Sequence, residues 1–310
     1  MISVVIPSYN RRDCMVALLA DVYRQHGTDF EVIVVDDASP DDTVEVIRRE
    51  FPQVRLFVNE ANGGPCVSRN RGILEANGEW IVGFDSDVTL PDPRLLARIA
   101  ARFSASPGLD GLSLRILKPD GVSDDVERWC HPRPVATHGN REFLTSYFSG
   151  TAYAFRREAV LAAGLYPELL YMHHEEVELA WRILDCGGSI LHVPDLSVLH
   201  HANPVSRRSQ VEVFLMPRNQ ILLAASCLPV PRAFFYVLPR TAFQGLKAIA
   251  RGHFPDFLKA MVSAWKLLPQ VWERRKPLRS TTFTLLRTIK AGTADLSPPS
   301  AEVSSAGRSA

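Results

Sequence analysis

Two carboxylates one residue apart, Asp85 and Asp87, close the run Trp80-Ile81-Val82-Gly83-Phe84-Asp85-Ser86-Asp87. The five residues before them are mostly apolar and predict a short buried strand. Asp is depleted from strands, and an ionised carboxylate is costly to bury without a partner. A strand that empties into two of them therefore predicts a ligand-bearing edge. In an extended chain residues i and i+2 point the same way, so Asp85 and Asp87 can converge on one cation. Paired hard oxygens suit Mg²⁺ or Mn²⁺ better than Zn²⁺. Taken alone, such a pair is also what a solvated turn after a strand looks like, and the rest of the chain decides between the two.

A second cluster is His173-His174-Glu175-Glu176-Val177-Glu178-Leu179-Ala180-Trp181-Arg182. Val177, Ala180, Trp181 and Leu184 fall on one helical face, with Glu175 and Glu176 in the first turn, where the helix dipole favours negative charge. The two carboxylates fit a dipole-satisfied helix start or a site for acid–base work. Residues 191–201 hold two short strand-like pieces ending in His200 and His201, which face opposite ways in an extended chain.

The positioning elements are legible around these residues. A β-branched strand over residues 3–7 is closed by Pro7-Ser8-Tyr9-Asn10, and a helix follows with Met15, Leu18, Leu19 and Val22 on one face. A second apolar strand, residues 31–35, ends at Asp36-Asp37. Ser39 then reads as a helix N-cap, with Pro40 at the first helical position. A third strand covers 54–58, the tight loop Asn62-Gly63-Gly64-Pro65 opens another helix, and Asn77-Gly78 stops it. Alternating helices and near-continuous apolar strands predict an α/β fold with a parallel sheet covered on both faces. Ligands of such sheets sit beyond the carboxyl ends of the strands. The 7–10 loop, Asp36-Asp37 and Asp85/Asp87 thus converge on one crevice. No GxGxxG follows the first strand and no GxxxxGK[ST] occurs, so the usual phosphate cradles are missing. A metal on Asp85 and Asp87 would neutralise a diphosphate instead. Asp36 or Asp37 would accept hydrogen bonds from a base N–H or a ribose hydroxyl, and Tyr9 would stack on a base. Beyond Asp87, residues 92–103 predict an amphipathic helix. Residues 108–133 carry few periodic signals and predict an irregular, acceptor-side segment.

These residues resemble family 2 glycosyltransferases, the inverting group with the GT-A fold (Rossmann-like, nucleotide-diphospho-sugar), and among them the bacterial rhamnosyltransferase-like members. The resemblance rests on Val4-Val5-Ile6-Pro7-Ser8-Tyr9-Asn10, Val34-Val35-Asp36-Asp37-Ala38-Ser39, Asn62-Gly63-Gly64 with Ser68-Arg69-Asn70-Arg71-Gly72, and Phe84-Asp85-Ser86-Asp87. It continues through residues 149–167 and covers roughly residues 1–205. It implies that Pro7, Tyr9 and Asp37 hold the base and ribose of a nucleotide-sugar, with Asp36, Asn62 and Ser86 in the same donor site. Arg69 would lie near the nucleotide, Asp85 near ribose or sugar, and Asp87 on Mg²⁺ or Mn²⁺ with Asp85 and His200 completing the shell. A surface helix arginine is the other reading of Arg69, and a structural or solvated histidine the other reading of His200. The family pattern at the second cluster is Glu-Asp, then Asp-Leu two residues on, then Arg. Here Glu176 stands where relatives use Asp as base, and Glu178 replaces the later Asp. Inverting transfer needs one base to take the acceptor hydroxyl proton. Glu176 is assigned that part, with Glu175 hydrogen-bonding substrate. The implied acceptor is a glycan or lipid-linked hydroxyl of cell-surface polysaccharide synthesis. Two alternatives stay open: a non-catalytic nucleotide-sugar binder, and a sugar-nucleotide pyrophosphorylase, whose basic pair Arg11-Arg12 is present without the accompanying glycine loop.

The totals agree with an enzyme in a reducing setting. Five cysteines without CxxC spacing among 310 residues argue for free thiols in the cytoplasm. The first strand begins at residue 2, so a signal peptide is not expected, and no apolar run is long enough to span a bilayer. A net charge of +1 hides an asymmetry: residues 1–205 carry −10 and residues 206–290 carry +12. Three amphipathic helices are expected over 214–228, 232–251 and 254–272, with arginines and lysines between large apolar residues. This 206–290 region reads as a helical part docking on the inner face of the cytoplasmic membrane, or as a cap neutralising the acidic half. Nucleic acid is not the expected partner. Residues 291–310, rich in Ser, Ala, Pro and Gly, predict a disordered tail.

Overall fold

The computed structural model of the chain describes residues 1–201 and 209–294, with 209 and 210 described by backbone alone. The elements run β1 (Ile2–Ser8), α1 (Arg12–Tyr23), β2 (Phe30–Asp36), α2 (Thr43–Glu50), β3 (Arg55–Val58), α3 (Pro65–Glu75), β4 (Trp80–Phe84), β5 (Val88–Thr89) and α4 (Leu95–Ala105). After them come β6 (Gly111–Leu117), α5 (Val135–His138), β7 (Phe143–Leu144), β8 (Ala152–Arg156), α6 (Arg157–Ala163), α7 (Glu175–Asp185) and β9 (Ile190–His200). Four helices close the described chain: α8 (Ser209–Cys227), α9 (Val230–Ala250), α10 (Phe254–Glu273) and α11 (Ser280–Ala291).

Strand alternation decides where the core lies. Val4 and Ile6 of β1, Val32 and Val34 of β2, and Val82 of β4 face one layer of helices, against Leu18 and Leu19 of α1 and Ile99 and Phe103 of α4. Val5, Ile33, Val35 and Ile81 face the other, against Ile73 of α3, Val160 of α6 and Leu179 and Ile183 of α7. The sheet order is β3-β2-β1-β4-β8-β6-β9-β5, with β7 beside β9. The first four of these strands are parallel, as expected, but β8 is antiparallel to both β4 and β6. The sheet is therefore mixed, because β8 arrives after the long excursion through residues 118–151 rather than through a crossover helix.

Three local expectations are corrected. The 108–133 segment contains β6, a buried strand between β8 and β9. Residues 190–200 form one eleven-residue strand, not two pieces, and a register shift opposite Leu114/Arg115 accommodates Pro194 and Asp195. Ser39 does not cap a helix: α2 starts at Thr43, and Ser39 donates its N–H and hydroxyl to the Asp36 carboxylate. A short-range side-chain bond has won over the helix start.

Beyond the sheet, the three expected helices are present and α11 is a fourth. Asp185, at the end of α7, accepts hydrogen bonds from the Arg279 N–H and the Thr282 hydroxyl, so it caps α11 from another helix. Arg275 reaches back to the carbonyls of Ala225 and Leu228 at 2.8 and 2.7 Å. Ala291 belongs to α11, and the expected boundary at 205 and the tail from 295 lie outside the described residues.

Candidate active site

The carboxyl ends of β1, β2 and β4 bring the predicted loops side by side, with Ser8 in register with Asp36. Asp36, the last residue of β2, and Asp37 after it are both buried. Asp36 is occupied by Ser39 and organises its own loop. Asp37 accepts from Asn59 Nδ2 (2.8 Å) and from the backbone N–H groups of Gly63 (3.1 Å) and Gly64 (2.7 Å), so it pins the loop that opens α3. Gly64 is needed there, since its φ is +86° and an added Cβ would fall 2.4 Å from the Tyr171 ring. Tyr171 in turn donates its hydroxyl to Asn62 Oδ1 at 3.0 Å. Tyr9 and Asn62 are exposed at the crevice, Pro7 and Ser86 half-buried.

Arg69 lies at the centre, and the surface alternative for it falls. Its side chain is 5% exposed, donates to Asp85 Oδ1 at 2.8 Å and to the Gly150 carbonyl at 3.4 Å, and lies 3.6 Å from Glu175 Oε1. The Tyr166 ring is beneath the guanidinium, at 5.4 Å. One arginine thus joins the strand-end carboxylate to the second cluster. Gly150 is the hinge of this contact: its N–H donates to Glu176 Oε1 at 3.3 Å, and a Cβ there would lie 2.7 Å from Arg69 Nη2 and 2.9 Å from Glu176 Oε1. Glu175 is buried, and burial followed by the neighbouring Glu176 charge holds its carboxyl well above the usual carboxylate range. Its Oε2 and Arg69 Nη1 are both buried with no hydrogen-bond partner among the described residues. Glu178 turns elsewhere, bonding Arg182 and the Ser226 hydroxyl at 2.7 and 2.8 Å and tying α7 to α8.

Asp87 and His200 meet because β5 pairs antiparallel with β9, Val88 opposite His200. Asp87 Oδ1 lies 3.6 Å from His200 Nε2. His200 Nδ1 donates to Asp125 Oδ2 at 2.6 Å, and Arg128 donates to Nε2 at 3.2 Å, which assigns the neutral tautomer with its lone pair on Nε2. A carboxylate oxygen and an imidazole nitrogen face each other at that spacing, the imidazole braced by a second carboxylate, but Nε2 already accepts from Arg128, so a divalent cation would take this place only by displacing that guanidinium. Burial, then the Asp85 charge, raises the Asp87 pKa, a cost that a cation would relieve. Asp85 is not brought to this pair, since Arg69 holds it, and no group of three ligating residues closes among the described residues. His201 leaves on the other side and meets Thr89 at 2.8 Å.

Gly150, Asp125, Arg128 and Tyr171 join the site without having been singled out by sequence. Only Gly150 carried a signal, a glycine in the run before a strand that resembles the family. The other three sit in loops whose path depends on distant packing.

Residues 3–162 match the family model described as glycosyl transferase family 2. The succinoglycan biosynthesis protein ExoO of Rhizobium meliloti is 35% identical over 123 residues, 39% of this chain and 35% of that one. The chain spans about a third of the length of the curated relatives it matches. Among solved structures, the mannosyltransferase PcManGT from Pyrobaculum calidifontis, in complex with GDP-Man and Mn²⁺, superposes with a TM-score of 0.57 at 22% identity, covering 94% of this chain and 84% of that one. Staphylococcus aureus TarS 1–349 with UDP-GlcNAc gives 0.57 at 20% identity, covering 94% and 87%. These neighbours share the GT-A fold with this chain, whose own C-terminal region is helical.

Proposed function

The chain belongs to glycosyl transferase family 2, and from that premise we propose that it transfers a sugar, with inversion, from a nucleotide-sugar to a hydroxyl of a glycan or lipid-linked acceptor. The observation that carries this is Gly150, against which the donor-side Arg69 and the Glu176 carboxylate approach together. Glu176 takes the acceptor hydroxyl proton as that oxygen forms its bond to the anomeric carbon. The bond from the anomeric carbon to the diphosphate oxygen breaks, and the nucleoside diphosphate leaves with the electron pair. Arg69, paired with Asp85, orients the donor, and Glu175, whose Oε2 has no hydrogen-bond partner among the described residues, binds a substrate hydroxyl. Tyr9, Asn62, Pro7 and Ser86 line the nucleotide end, with Asp37 holding that loop in shape and Asp36 behind it. Asp87 and His200 would hold Mg²⁺ or Mn²⁺, which neutralises the leaving diphosphate when bound. The ExoO name supports a polysaccharide setting, and the Mn²⁺ in the mannosyltransferase complex supports the metal.

We further propose that α9 and α10 dock on an anionic membrane surface. Phe235, Phe243, Leu246 and Trp265 are 74, 65, 66 and 74% exposed, among Arg232, Arg240, Lys259 and Lys266. No helix among the described residues is long and apolar enough to cross a membrane.

The test of the reaction is release of nucleoside diphosphate from UDP-, GDP- and dTDP-sugars with Mn²⁺. One donor should be turned over by wild type. Asp87→Ala should lose Mn²⁺ dependence and most turnover, and Glu176→Ala should bind the donor without turning it over. Binding of no donor with metal present sinks the site assignment, and full turnover by Glu176→Ala removes the base.

A further inference from the structure

The loop that delivers Glu175 and Glu176 is held in a conformation its own sequence disfavours. Tyr171, His173 and His174 have φ of 65°, 68° and 71°, three non-glycine residues of four with positive φ, Tyr171 at ψ −69° in a γ-turn closed by the Met172 N–H on the Leu170 carbonyl at 2.8 Å. Such backbone persists only where its surroundings over-determine it. His174 is also the N-cap of α7, so the run ends where Glu175 begins.

What holds the loop comes from the C-terminal helices. Asn219 of α8 is completely buried, and its Nδ2 lies 2.7 Å from the Leu170 carbonyl, 2.7 Å from that of Met172 and 2.8 Å from that of His173. Three carbonyls around one NH₂ share its two hydrogens. The orientation of the amide is set by its neighbour, because Arg218 Nε donates to Asn219 Oδ1 at 2.8 Å and leaves only the NH₂ to face the loop. Arg218 Nη2 adds bonds to the carbonyls of Leu169 and Leu170 at 3.3 and 2.9 Å. From the opposite side, Cys66 donates to the Tyr171 carbonyl at 3.0 Å.

We propose that Asn219, oriented by Arg218, is a positioning residue for the reaction: it clamps the positive-φ segment and thereby sets where the first turn of α7 presents Glu175 and Glu176. This rests on the assignment of those carboxylates to the reaction. The substitution Asn219→Asp keeps size and shape but replaces the donor by an acceptor facing three carbonyls. Displacement of a catalytic group by about 1 Å costs on the order of a hundredfold in rate. The expected result is a fall in kcat of tenfold or more with donor KM changed less than threefold, and faster amide exchange confined to residues 168–178. Arg218→Gln, which frees the amide to turn, should move both readouts the same way by less. Ser226→Ala, on the same helix but contacting Glu178, should leave the exchange of 168–174 unchanged. Wild-type kcat and exchange in Asn219→Asp overturn the proposal, as does a loss that follows global melting with exchange raised along all of α8. Glu176→Gln, measured in parallel, separates the two assignments. If it turns over normally while Asn219→Asp does not, the base is another group and the clamp stands.

Discussion

Replacing Gly150 by alanine tests the cradle with a single methyl group. Gly150 is not among the residues with positive φ, so alanine brings no backbone penalty and acts by volume alone. The new carbon would lie 2.7 Å from Arg69 Nη2 and 2.9 Å from Glu176 Oε1, so each must retreat by roughly half an ångström or more to reach ordinary contact. Arg69 has little room, being 5% exposed and already bonded to Asp85. Overpacking of this kind costs about 1–3 kcal/mol, which for a protein of this size lowers Tm by several degrees. The catalytic effect should be larger than the stability effect, with kcat down roughly thirty- to a hundredfold, since both displaced groups belong to the proposed catalytic machinery. The assay is nucleoside diphosphate release beside thermal melting on the same preparation. A variant with kcat within threefold of wild type would show that turnover does not depend on where Arg69 and Glu176 stand, and the cradle would lose its part in the mechanism.

Two further outcomes are expected. His192 is fully buried beside Trp129, His131 and Phe143, and burial lowers its pKa from 6.5 to about 4. Between those values the unfolded chain binds a proton that the folded chain excludes, so stability falls as pH falls, by about 2 kcal/mol from this group at pH 5. In urea melts at pH 7.5 and 5, His192→Phe should flatten the difference by about that amount, and unchanged slopes would refute the buried neutral imidazole. In sedimentation with vesicles, the protein should bind phosphatidylglycerol-containing membranes, weaken with salt and ignore neutral ones. Phe235→Ser or Trp265→Ser should each raise the Kd roughly tenfold, as loss of one buried apolar side chain requires. Equal binding to neutral vesicles, or none, would refute the docking surface.

The first 90 residues were legible because their signals are local. Apolar strands ending in Ser8, Asp36 and Asp85 state their own direction, and three parallel carboxyl ends suffice to place a crevice. The strands beyond were harder for a physical reason. β6 reads Gly-Leu-Ser-Leu-Arg-Ile-Leu, and its alternating Leu112, Leu114 and Ile116 were a strand signal, but a short one set among turn residues and carrying an Arg115 that Asp124, outside the strand, satisfies at 2.7 Å. The reversal of β8 depends on which strands it meets, a property no segment carries alone. Asp85 and Arg69 were each expected near the donor, but their direct bond was not foreseen, and it draws Asp85 away from the cation shell it was expected to complete. Ser39 shows the opposite failure: a helix-start pattern was present and the aspartate three residues earlier took the cap away. Asn219 fell inside an expected helix unremarked, and Arg218 was read there only as one of the recurring basic residues, since their use depends on carbonyls some fifty residues upstream.

Asp185 capping α11, together with Glu178 on Ser226, has a consequence for how proteins of this kind can be recombined. A helical region that supplied only a membrane address could be exchanged among relatives as a cassette joined near residue 205. Here the seam runs through the helix that bears the second carboxylate cluster: its far end completes the start of α11, and its middle, where Glu178 pairs with Arg182, is hydrogen-bonded to Ser226 of α8. A foreign C-terminal region would have to bring its own partners for Glu178 and Asp185. A chimera that respects this fold therefore carries its crossover upstream of the loop preceding α7, so that residues 168–294 travel as one inheritance.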